Sequence, residues 1–398
     1  MRNIVIEDLK AQLPSARVVE LVERKGLGHP DTISDNLAEE FSRVLSKEYL
    51  KEFGVILHHN VDKLELCGGN TSPAFGGGKF NIPILLFFSG RATESLEGKK
   101  FDLNNIAVNS AKNWIKNNLR FLDVENHLKY QVETKSGAGN LTDLYERKKG
   151  GPMPANDTSI GVGFAPLTDT ENIALKLENY MNSKGFMDRF PGSGEDVKIM
   201  VMRHKDKLDI TVAMAVVDKF VSSVSDYQKL MEDILRDITE YIKTLTNKEF
   251  KINLNAADDP SRGVDGLYMT ISGTSTEHGD DGAVGRGNRI YGLITPDRPM
   301  ILEAAAGKNP VNHIGKIYNI LANKIANRIT NEVNEVDDVV VRLLSQIGQP
   351  IDHPKIADVQ VRSRQYYNPA VIKQIVDDEL ARITELQKEI VDGKYSIC

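Results

Sequence analysis

One pattern, a helix followed by two strands and a second helix, recurs three times along the 398-residue chain. Helical segments show apolar residues at three- and four-residue spacing, whereas the strand segments, five to twelve residues long, alternate or are continuously apolar. Three similar units of this kind predict an α/β (α+β) fold with three sheets, each carrying helices on one face. Chance likeness among ordinary α/β units is the alternative explanation. The predicted elements are, in order, Thr32–Lys51, Val55–Leu66, Phe80–Ser89, Asn104–Leu119; Asp169–Ser183, Val197–Arg203, Lys207–Val217, Ser225–Leu245; Val311–Val333, Val339–Ser345, Ala357–Val361 and Pro369–Val391.

These units suggest approximate boundaries along the chain. Residues 1–135 would form the first unit, 136–257 the second and 258–398 the third. Glycine-rich stretches lie between the predicted elements, and loops held by a rigid scaffold are the usual carriers of binding residues. We therefore expect ligands to bind at these stretches.

The segment from Glu277 to Arg289, E-H-G-D-D-G-A-V-G-R-G-N-R, has the composition of a polyphosphate and metal site. Glycines allow the backbone to approach phosphate oxygens, carboxylates bind hard cations, and arginines match phosphate geometry with forked donors. A solvated Gly/Asp turn is the alternative. The candidates in this segment are Asp280, Asp281, Arg286 and Arg289.

A histidine and a carboxylate flank a proline in the segment E-R-K-G-L-G-H-P-D, just before the first predicted helix. His29 and Asp31 would therefore lie at the positive end of a helix, where anions collect. Asp31 or Thr32 is also well placed to be the N-cap of that helix. Metal binding and helix capping both remain open for Asp31.

A third segment, A-A-A-G-K-N-P-V-N-H-I-G-K from Ala304 to Lys316, contains the pair Gly307-Lys308. It is not a P-loop, because Leu302 stands where the first loop glycine belongs and Asn309 where Ser or Thr belongs. Lys308 is still a candidate phosphate ligand.

Polar residues also cluster on the predicted strand after the first helix. Regular alternation would place His58, Asn60 and Asp62 on one face with Leu64, and His59, Lys63 and Glu65 on the other. Only one of these sets can line a cavity. Structural zinc binding is not favoured, because no Cys/His pairs have the required spacing.

Composition excludes several functional classes. The net charge of −6 argues against general nucleic-acid binding, which depends on clustered positive charge. No apolar run is long enough for a membrane span, and the first ten residues do not resemble a signal peptide. Cys67 and Cys398 are the only cysteines, so we expect no disulfide framework and a cytoplasmic location.

Together the motifs resemble the S-adenosylmethionine synthetase family, in its divergent archaeal type. G-H-P-D at Gly28, N-D-T-S-I-G-V-G-F-A-P at Asn156, the Gly/Asp/Arg segment and G-K-N-P-V-N-H-I-G-K carry the resemblance, in the family's order. It implies three interleaved α/β subdomains about a pseudo-threefold axis.

The resemblance implies a role for each matched residue. His29, Lys198, Arg286 and Lys308 would be catalytic, with Lys198 matching the family's D-x-K lysine near the reacting carbon. A glycine-rich segment from Ser136 to Asp143 resembles the ATP-binding segment, and a loop without a ligand is the alternative there. The implied ATP ligands are Gly137, Ala138, Gly139, Asn140, Leu141, Thr142, Asp157 and Lys63; the methionine ligands are Asp157, His58 and Asp62; the metal ligands are Asp31, Asp280 and Asp281.

Three positions depart from the bacterial pattern. In the bacterial enzymes a lysine follows the arginine that matches Arg286, and this lysine aligns with Gly287 here. A lysine and an aspartate further along the bacterial sequences align with Asn312 and Ile314. The ligands of a second metal ion therefore stay open.

The implied reaction joins ATP and L-methionine: sulfur attacks C5′ and expels the whole triphosphate, which is then hydrolysed to phosphate and diphosphate. Mg²⁺ and K⁺ are the implied cofactors, and the implied assembly is a homodimer or dimer of dimers with active sites between subunits. Two other functions remain as alternatives: another Mg-ATP-dependent ligase or kinase, which needs similar phosphate ligands, and a nucleotide-binding regulator without chemistry.

Overall fold

The computed structural model describes residues 2–137 and 152–398. Its α-helices span Pro30–Phe53 (α1), Leu103–Asn118 (α2), Asp169–Met181 (α3), Lys184–Arg189 (α4), Val224–Leu245 (α5), Ile314–Glu332 (α6), Pro369–Ala381 (α7) and Ile383–Val391 (α8). The longer strands span Ile4–Asp8 (β1), Val19–Lys25 (β2), His59–Cys67 (β3), Ile84–Ala92 (β6), Leu128–Lys135 (β9), Ile160–Ala165 (β10), Ser193–His204 (β11), Lys207–Val217 (β12), Glu249–Leu254 (β13), Val336–Leu344 (β16) and Ile356–Ser363 (β17). The short strands are Asn70–Ser72 (β4), Lys79–Ile82 (β5), Ser95–Leu96 (β7), Lys99–Lys100 (β8), Met269–Thr270 (β14) and Gly282–Ala283 (β15).

Within the described ranges the longer strands form three sheets, which confirms the mixed α/β class. The sheets have strand orders β15-β3-β6-β9, β13-β12-β11-β2 and β1-β17-β16-β10. Each sheet buries one face under helices and has its own apolar core, with Phe41 and Phe88 in the first, Ile199 and Ile238 in the second, and Ile317 and Val341 in the third. Strands β1, β2, β10 and β15 join sheets built mainly from distant parts of the chain.

Helix α6 packs directly on strand β10, because two glycines of that strand leave room for the helix. A Cβ atom at Gly161 would overlap the backbone of Tyr318, and one at Gly163 would overlap the backbone of Asn323. The I-G-V-G-F part of the sequence motif is therefore needed for packing.

Local predictions were wrong for the last helix and for strand β3. The last predicted helix is two helices, α7 and α8, which meet at Arg382, where one amide is shared among the carbonyls of Asp378, Glu379 and Leu380. In β3 the register shifts between Asn60 and Lys63, and this irregularity changes which residues share a face. His59 consequently lies on the helix side, bonded to Ser42 at 2.8 Å, and does not share a face with Lys63 and Glu65.

The triple glycine from Gly76 to Gly78 closes a hairpin between β4 and β5. Its tip is fixed to the second unit, because the amides of Ala74 and Gly78 donate to the Asp218 carboxylate at 3.2 and 2.7 Å. No helix in the described ranges is long and apolar enough to cross a membrane.

Candidate active site

His29 caps the first helix. Its Nδ1 accepts a hydrogen bond from the Asp31 amide at 3.2 Å, and Pro30 occupies the first helical position. The expectation that Asp31 or Thr32 is the N-cap is therefore wrong; proline, whose missing N–H costs nothing at the first helical position, starts the helix two residues before the predicted Thr32. Burial lowers the pKa of His29, against the opposing effects of Asp196 and Asp31. With Nδ1 accepting, the neutral ring carries its proton on Nε2 and can donate from there.

Asp31 connects this helix end to the Gly/Asp/Arg segment. Its Oδ1 accepts from the Ala283 amide at 3.0 Å, and its Oδ2 pairs with Lys25 Nζ at 2.8 Å. Lys25 Nζ also donates to the Arg286 carbonyl at 2.8 Å. The Arg286 side chain itself is exposed. The segment with the predicted phosphate ligand is thus held against the start of α1.

Lys198 and Lys25 are direct neighbours on the antiparallel strands β11 and β2. Lys198 Nζ lies 3.1 Å from Glu23 Oε1, and its side chain is 43% exposed. Both ammonium groups act on the pKa of His29, which they lower. The structure therefore brings His29, Lys198, Asp31 and the Arg286 backbone into one region.

Asp280 approaches the same region through a short chain of hydrogen bonds. Its Oδ2 accepts from Ser275 Oγ at 2.9 Å, and the Ser275 amide donates to Asp196 Oδ2 at 2.9 Å. The Tyr268 hydroxyl donates to the same Asp196 oxygen at 3.1 Å. Burial raises the pKa of Asp196, partly offset by His29.

Asp281 points elsewhere. Its Oδ1 accepts from the Gly68 amide at 2.7 Å, beside the end of β3. The two adjacent aspartates of the sequence motif thus have different surroundings. Arg289 also differs from the expectation of a phosphate ligand, because its guanidinium donates to the Gly285 and Gly287 carbonyls at 2.6 and 2.8 Å and braces its own loop.

A second polar group surrounds Lys308, whose side chain is buried. Its Nζ contacts Asp62 Oδ2 at 2.7 Å and Glu303 Oε1 at 3.0 Å, and Lys63 pairs with Asp62 from the solvent side. Burial works against the charge on Asp62, but the ammonium groups of Lys308 and Lys63 together outweigh it, so the pKa of Asp62 is lowered. His313 caps α6 just as His29 caps α1, with Nδ1 accepting from the Gly315 amide at 3.2 Å.

His313 is neutral, since burial and Lys308 lower its pKa to about 3. Ligand atoms of Asp62, Glu303 and His313 lie within 4.8 Å of one another. That spacing would suit a metal ion, but the Lys308 ammonium already contacts both carboxylates. This group is therefore neutralised without a metal.

The predicted nucleotide segment begins beside His58. A Cβ atom at Gly137 would lie 2.8 Å from His58 Nδ1, so the chain passes close over the imidazole. Ala138, Gly139, Asn140, Leu141 and Thr142 lie outside the described residues. Asp157 is exposed, and its carbonyl accepts from Ser345 Oγ at 2.6 Å. Neighbouring Asn156 accepts from the Ile314 amide at 3.0 Å and so links this loop to the start of α6.

Several residues of the site were missed in the sequence. They are Lys25, Asp35, Asp196, Tyr268, Ser275 and Glu303. Two had a usable signal: Asp196 is the aspartate of the D-x-K pattern that singled out Lys198, and Asp35 follows Asp31 by one helical turn. The others come near the site only through tertiary contacts.

Comparison with solved structures assigns the fold. The chain aligns with a structure described as an unusual S-adenosylmethionine synthetase from Campylobacter jejuni, with a TM-score of 0.59 and 16% identity, covering 93% of this chain and 90% of the other. At this identity the similarity shows that the two chains share a fold.

Sequence comparison assigns the family. Residues 2–394 match the sequence profile of the S-adenosylmethionine synthetase (AdoMet synthetase) family. The S-adenosylmethionine synthase of Pyrococcus furiosus is 46% identical over 401 aligned positions, covering 100% of this chain and 99% of the relative. A probable S-adenosylmethionine synthase of Aquifex aeolicus is also 46% identical and is covered over its full length. The chain belongs to the S-adenosylmethionine synthetase family, and its similarity to archaeal members confirms the archaeal type.

Proposed function

We propose that the protein forms S-adenosyl-L-methionine from ATP and L-methionine, and then hydrolyses the tripolyphosphate to phosphate and diphosphate. The full-length match to the family carries this proposal. A neutral sulfur is already a good nucleophile, so the site needs no general base. Its task is to align sulfur, C5′ and the leaving oxygen, and to stabilise the charge that develops on the triphosphate.

His29 would donate from Nε2 to the departing oxygen. Supporting this role, its Nδ1 is already engaged by the Asp31 amide, and its lowered pKa leaves the ring neutral with one directed N–H. Lys198, Arg286 and Lys308 would bind the triphosphate. Lys308 now contacts Asp62 and Glu303, so binding phosphate would exchange one anionic partner for another.

Substrate binding would use the region around His58. We propose that Gly137 to Thr142 and Lys63 contact the nucleotide, and that Asp157, His58 and Asp62 contact methionine. Two observations support a common pocket: Gly137 passes over His58, and the 156–157 loop contacts the start of α6.

Proteins of this family depend on metal ions, and Mg²⁺ and K⁺ are our specific proposals. Asp31 and Asp280 are carboxylates of the type Mg²⁺ prefers beside phosphate and water, and Asp280 is exposed. Bound Mg²⁺ would neutralise triphosphate charge. Asp281 is the next candidate in sequence, although its Oδ1 already accepts from Gly68. No ligand set is proposed for K⁺.

We also propose a cytoplasmic homodimer or dimer of dimers with sites between subunits. An apolar row on the open face of the second sheet supports association: Leu21, Met200 and Met202 are 40%, 37% and 38% exposed, and Leu21 pairs with Met202. Sedimentation at the assay concentration tests this, and full activity from a monomer would contradict it.

The product distinguishes this function from its alternatives, which the comparisons do not favour. Protein incubated with ATP, methionine and Mg²⁺ should yield S-adenosylmethionine by mass spectrometry, with the three phosphates released as phosphate plus diphosphate. A ligase or kinase would give AMP or ADP instead. A regulator would bind ATP and leave it intact.

A further inference from the structure

Helix α1 carries three buried acids at every fourth position, Asp31, Asp35 and Glu39, which are 5%, 2% and 6% exposed. This spacing places them on one face of the helix. Each accepts a hydrogen bond from a backbone amide of a glycine-rich segment: Ala283 at 3.0 Å, Gly285 at 2.9 Å and Gly307 at 3.1 Å, respectively. One helix face thus holds the backbone of both glycine-rich loops.

The middle acid differs from its neighbours. Asp31 pairs with Lys25, and both oxygens of Glu39 accept from Lys316 at 2.9 and 2.6 Å. The second oxygen of Asp35, Oδ2, is buried and has no hydrogen-bond partner within the described ranges. A buried carboxylate without a close partner is costly, so its presence calls for an explanation.

The charged and titratable groups around Asp35 do not remove this cost. Burial raises the pKa of Asp35 to about 7, the Gly285 amide and Arg289 lower it, Asp31 raises it and Lys25 lowers it. Cys398 on the C-terminal segment also faces it, and Glu303 lines the same small cavity, of about 20 Å³. The Arg289 guanidinium donates to the Gly285 and Gly287 carbonyls and not to Asp35 Oδ2.

Asp35 contacts the chain on both sides of Arg286. Its Oδ1 accepts from Gly285, which has φ +89, while a Cβ atom at position 287 would overlap Oδ2. The Arg286 carbonyl is held by Lys25. Arg286 therefore belongs to a short backbone segment that contacts the Asp35 carboxylate on both sides. The position of that carboxylate sets the direction of the segment.

We propose that Asp35 is a positioning residue for Arg286, holding the Gly285–Gly287 backbone so that the guanidinium meets the triphosphate. The inference rests on the proposed function, because it takes Arg286 to be a phosphate ligand. It requires the hydrogen-bond acceptor at position 35 and a glycine at position 287. It does not require the negative charge.

Binding of diimidotriphosphate, a triphosphate whose bridging NH groups resist hydrolysis, tests the proposal in the presence of Mg²⁺. Titration calorimetry on the full chain should show that Asp35→Ala weakens binding roughly tenfold, the size of one lost charge-assisted contact. Asp35→Asn keeps the acceptor and should stay within about threefold of the wild type. In an Arg286→Ala background, Asp35→Ala should cause no further loss, because the two residues act as one unit.

Gly287→Ala is the second probe, since it displaces the Asp35 carboxylate without removing it and its φ is open to alanine. It should weaken binding as Asp35→Ala does, and it keeps the test available if Asp35→Ala fails to fold. Glu40→Gln, which breaks a partly buried pair with Arg43 on the same helix, is the matched control and should bind normally.

Equal losses from Asp35→Ala with and without Arg286 would overturn the proposal, as would normal binding by Gly287→Ala. Asp35→Asn binding as poorly as Asp35→Ala would also overturn it. If Arg286→Ala alone binds normally, the proposed phosphate role of Arg286 fails instead. Methionine binding, measured separately, should be unchanged in all variants.

Discussion

The ammonium of Lys25 lies 2.8 Å from the carboxylate of Asp31, the residue expected to bind Mg²⁺. Lys25 would therefore compete with a Mg²⁺ ion for Oδ2, and it also donates to the Arg286 carbonyl. The charges of Lys25 and Asp31 thus offset each other in the protein alone.

Lys25→Met should separate these two effects. The Mg²⁺ concentration for half-maximal rate should fall, because Asp31 loses its competing cation, while KM for ATP should rise roughly tenfold as the Arg286 loop loosens. Initial rates over a grid of Mg²⁺ and ATP concentrations measure both. Lys207→Met removes an exposed pair with Glu249 on the same sheet and is the control. An unchanged Mg²⁺ requirement in Lys25→Met would show that the ammonium and the metal do not share Asp31.

The three aspartates named by the sequence should respond differently to neutralisation. Asp31→Asn and Asp280→Asn should each raise the Mg²⁺ requirement roughly tenfold, since each loses one charged ligand. Asp281→Asn should change it little, because Asp281 Oδ1 is engaged by Gly68. Magnesium titrations of the three variants decide the assignment. A large shift in Asp281→Asn together with none in Asp280→Asn would reverse it.

The contribution of Asp35 to the free energy of unfolding should become less favourable as the pH rises. Its pKa is raised from 3.8 to about 7 in the folded protein, so the folded state holds a proton that the unfolded state releases. Its ionisation therefore lowers stability as pH rises from about 4 to about 7, and the full cost is present above 7. At about 1.4 kcal/mol per pKa unit, the cost is at most about 4 kcal/mol.

Asp35→Asn removes that ionisation and should stabilise the protein relative to the wild type at pH 8, with the difference shrinking towards pH 5. Urea unfolding at several pH values measures it. A difference that is independent of pH, or one that grows as the pH falls, would be inconsistent with a raised pKa.

Much of the architecture was accessible from the sequence because helical and strand periodicity is local. Strand β12 was predicted with its observed ends, Lys207 and Val217, and α1 within two residues at each end. The start of α1 was mistaken because a histidine cap before proline is a side-chain geometry that residue preferences do not describe. The face of His59 was mistaken because a register irregularity leaves no mark in the alternation of the sequence.

The sequence indicated which residues lie in the candidate site, but not which contacts they make there. His29, Asp31 and Arg286 stood out by type, whereas the bonds of α1 to the loop join residues 250 and 252 positions apart. Asp35 looked like any helical acid in sequence, and only the fold places it beside Arg286. The partner of Lys308 was equally hidden, since Asp62 lies 246 positions away.

The rate of S-adenosylmethionine formation in His29→Ala tests the central claim most directly. If His29 donates to the departing triphosphate, single-turnover experiments at saturating ATP, methionine and Mg²⁺ should show about a hundred- to a thousandfold slower formation, with the Kd for ATP nearly unchanged. Circular dichroism should confirm the fold, and His353→Ala, at an exposed surface position, should react normally. An unchanged single-turnover rate in folded His29→Ala would contradict the account.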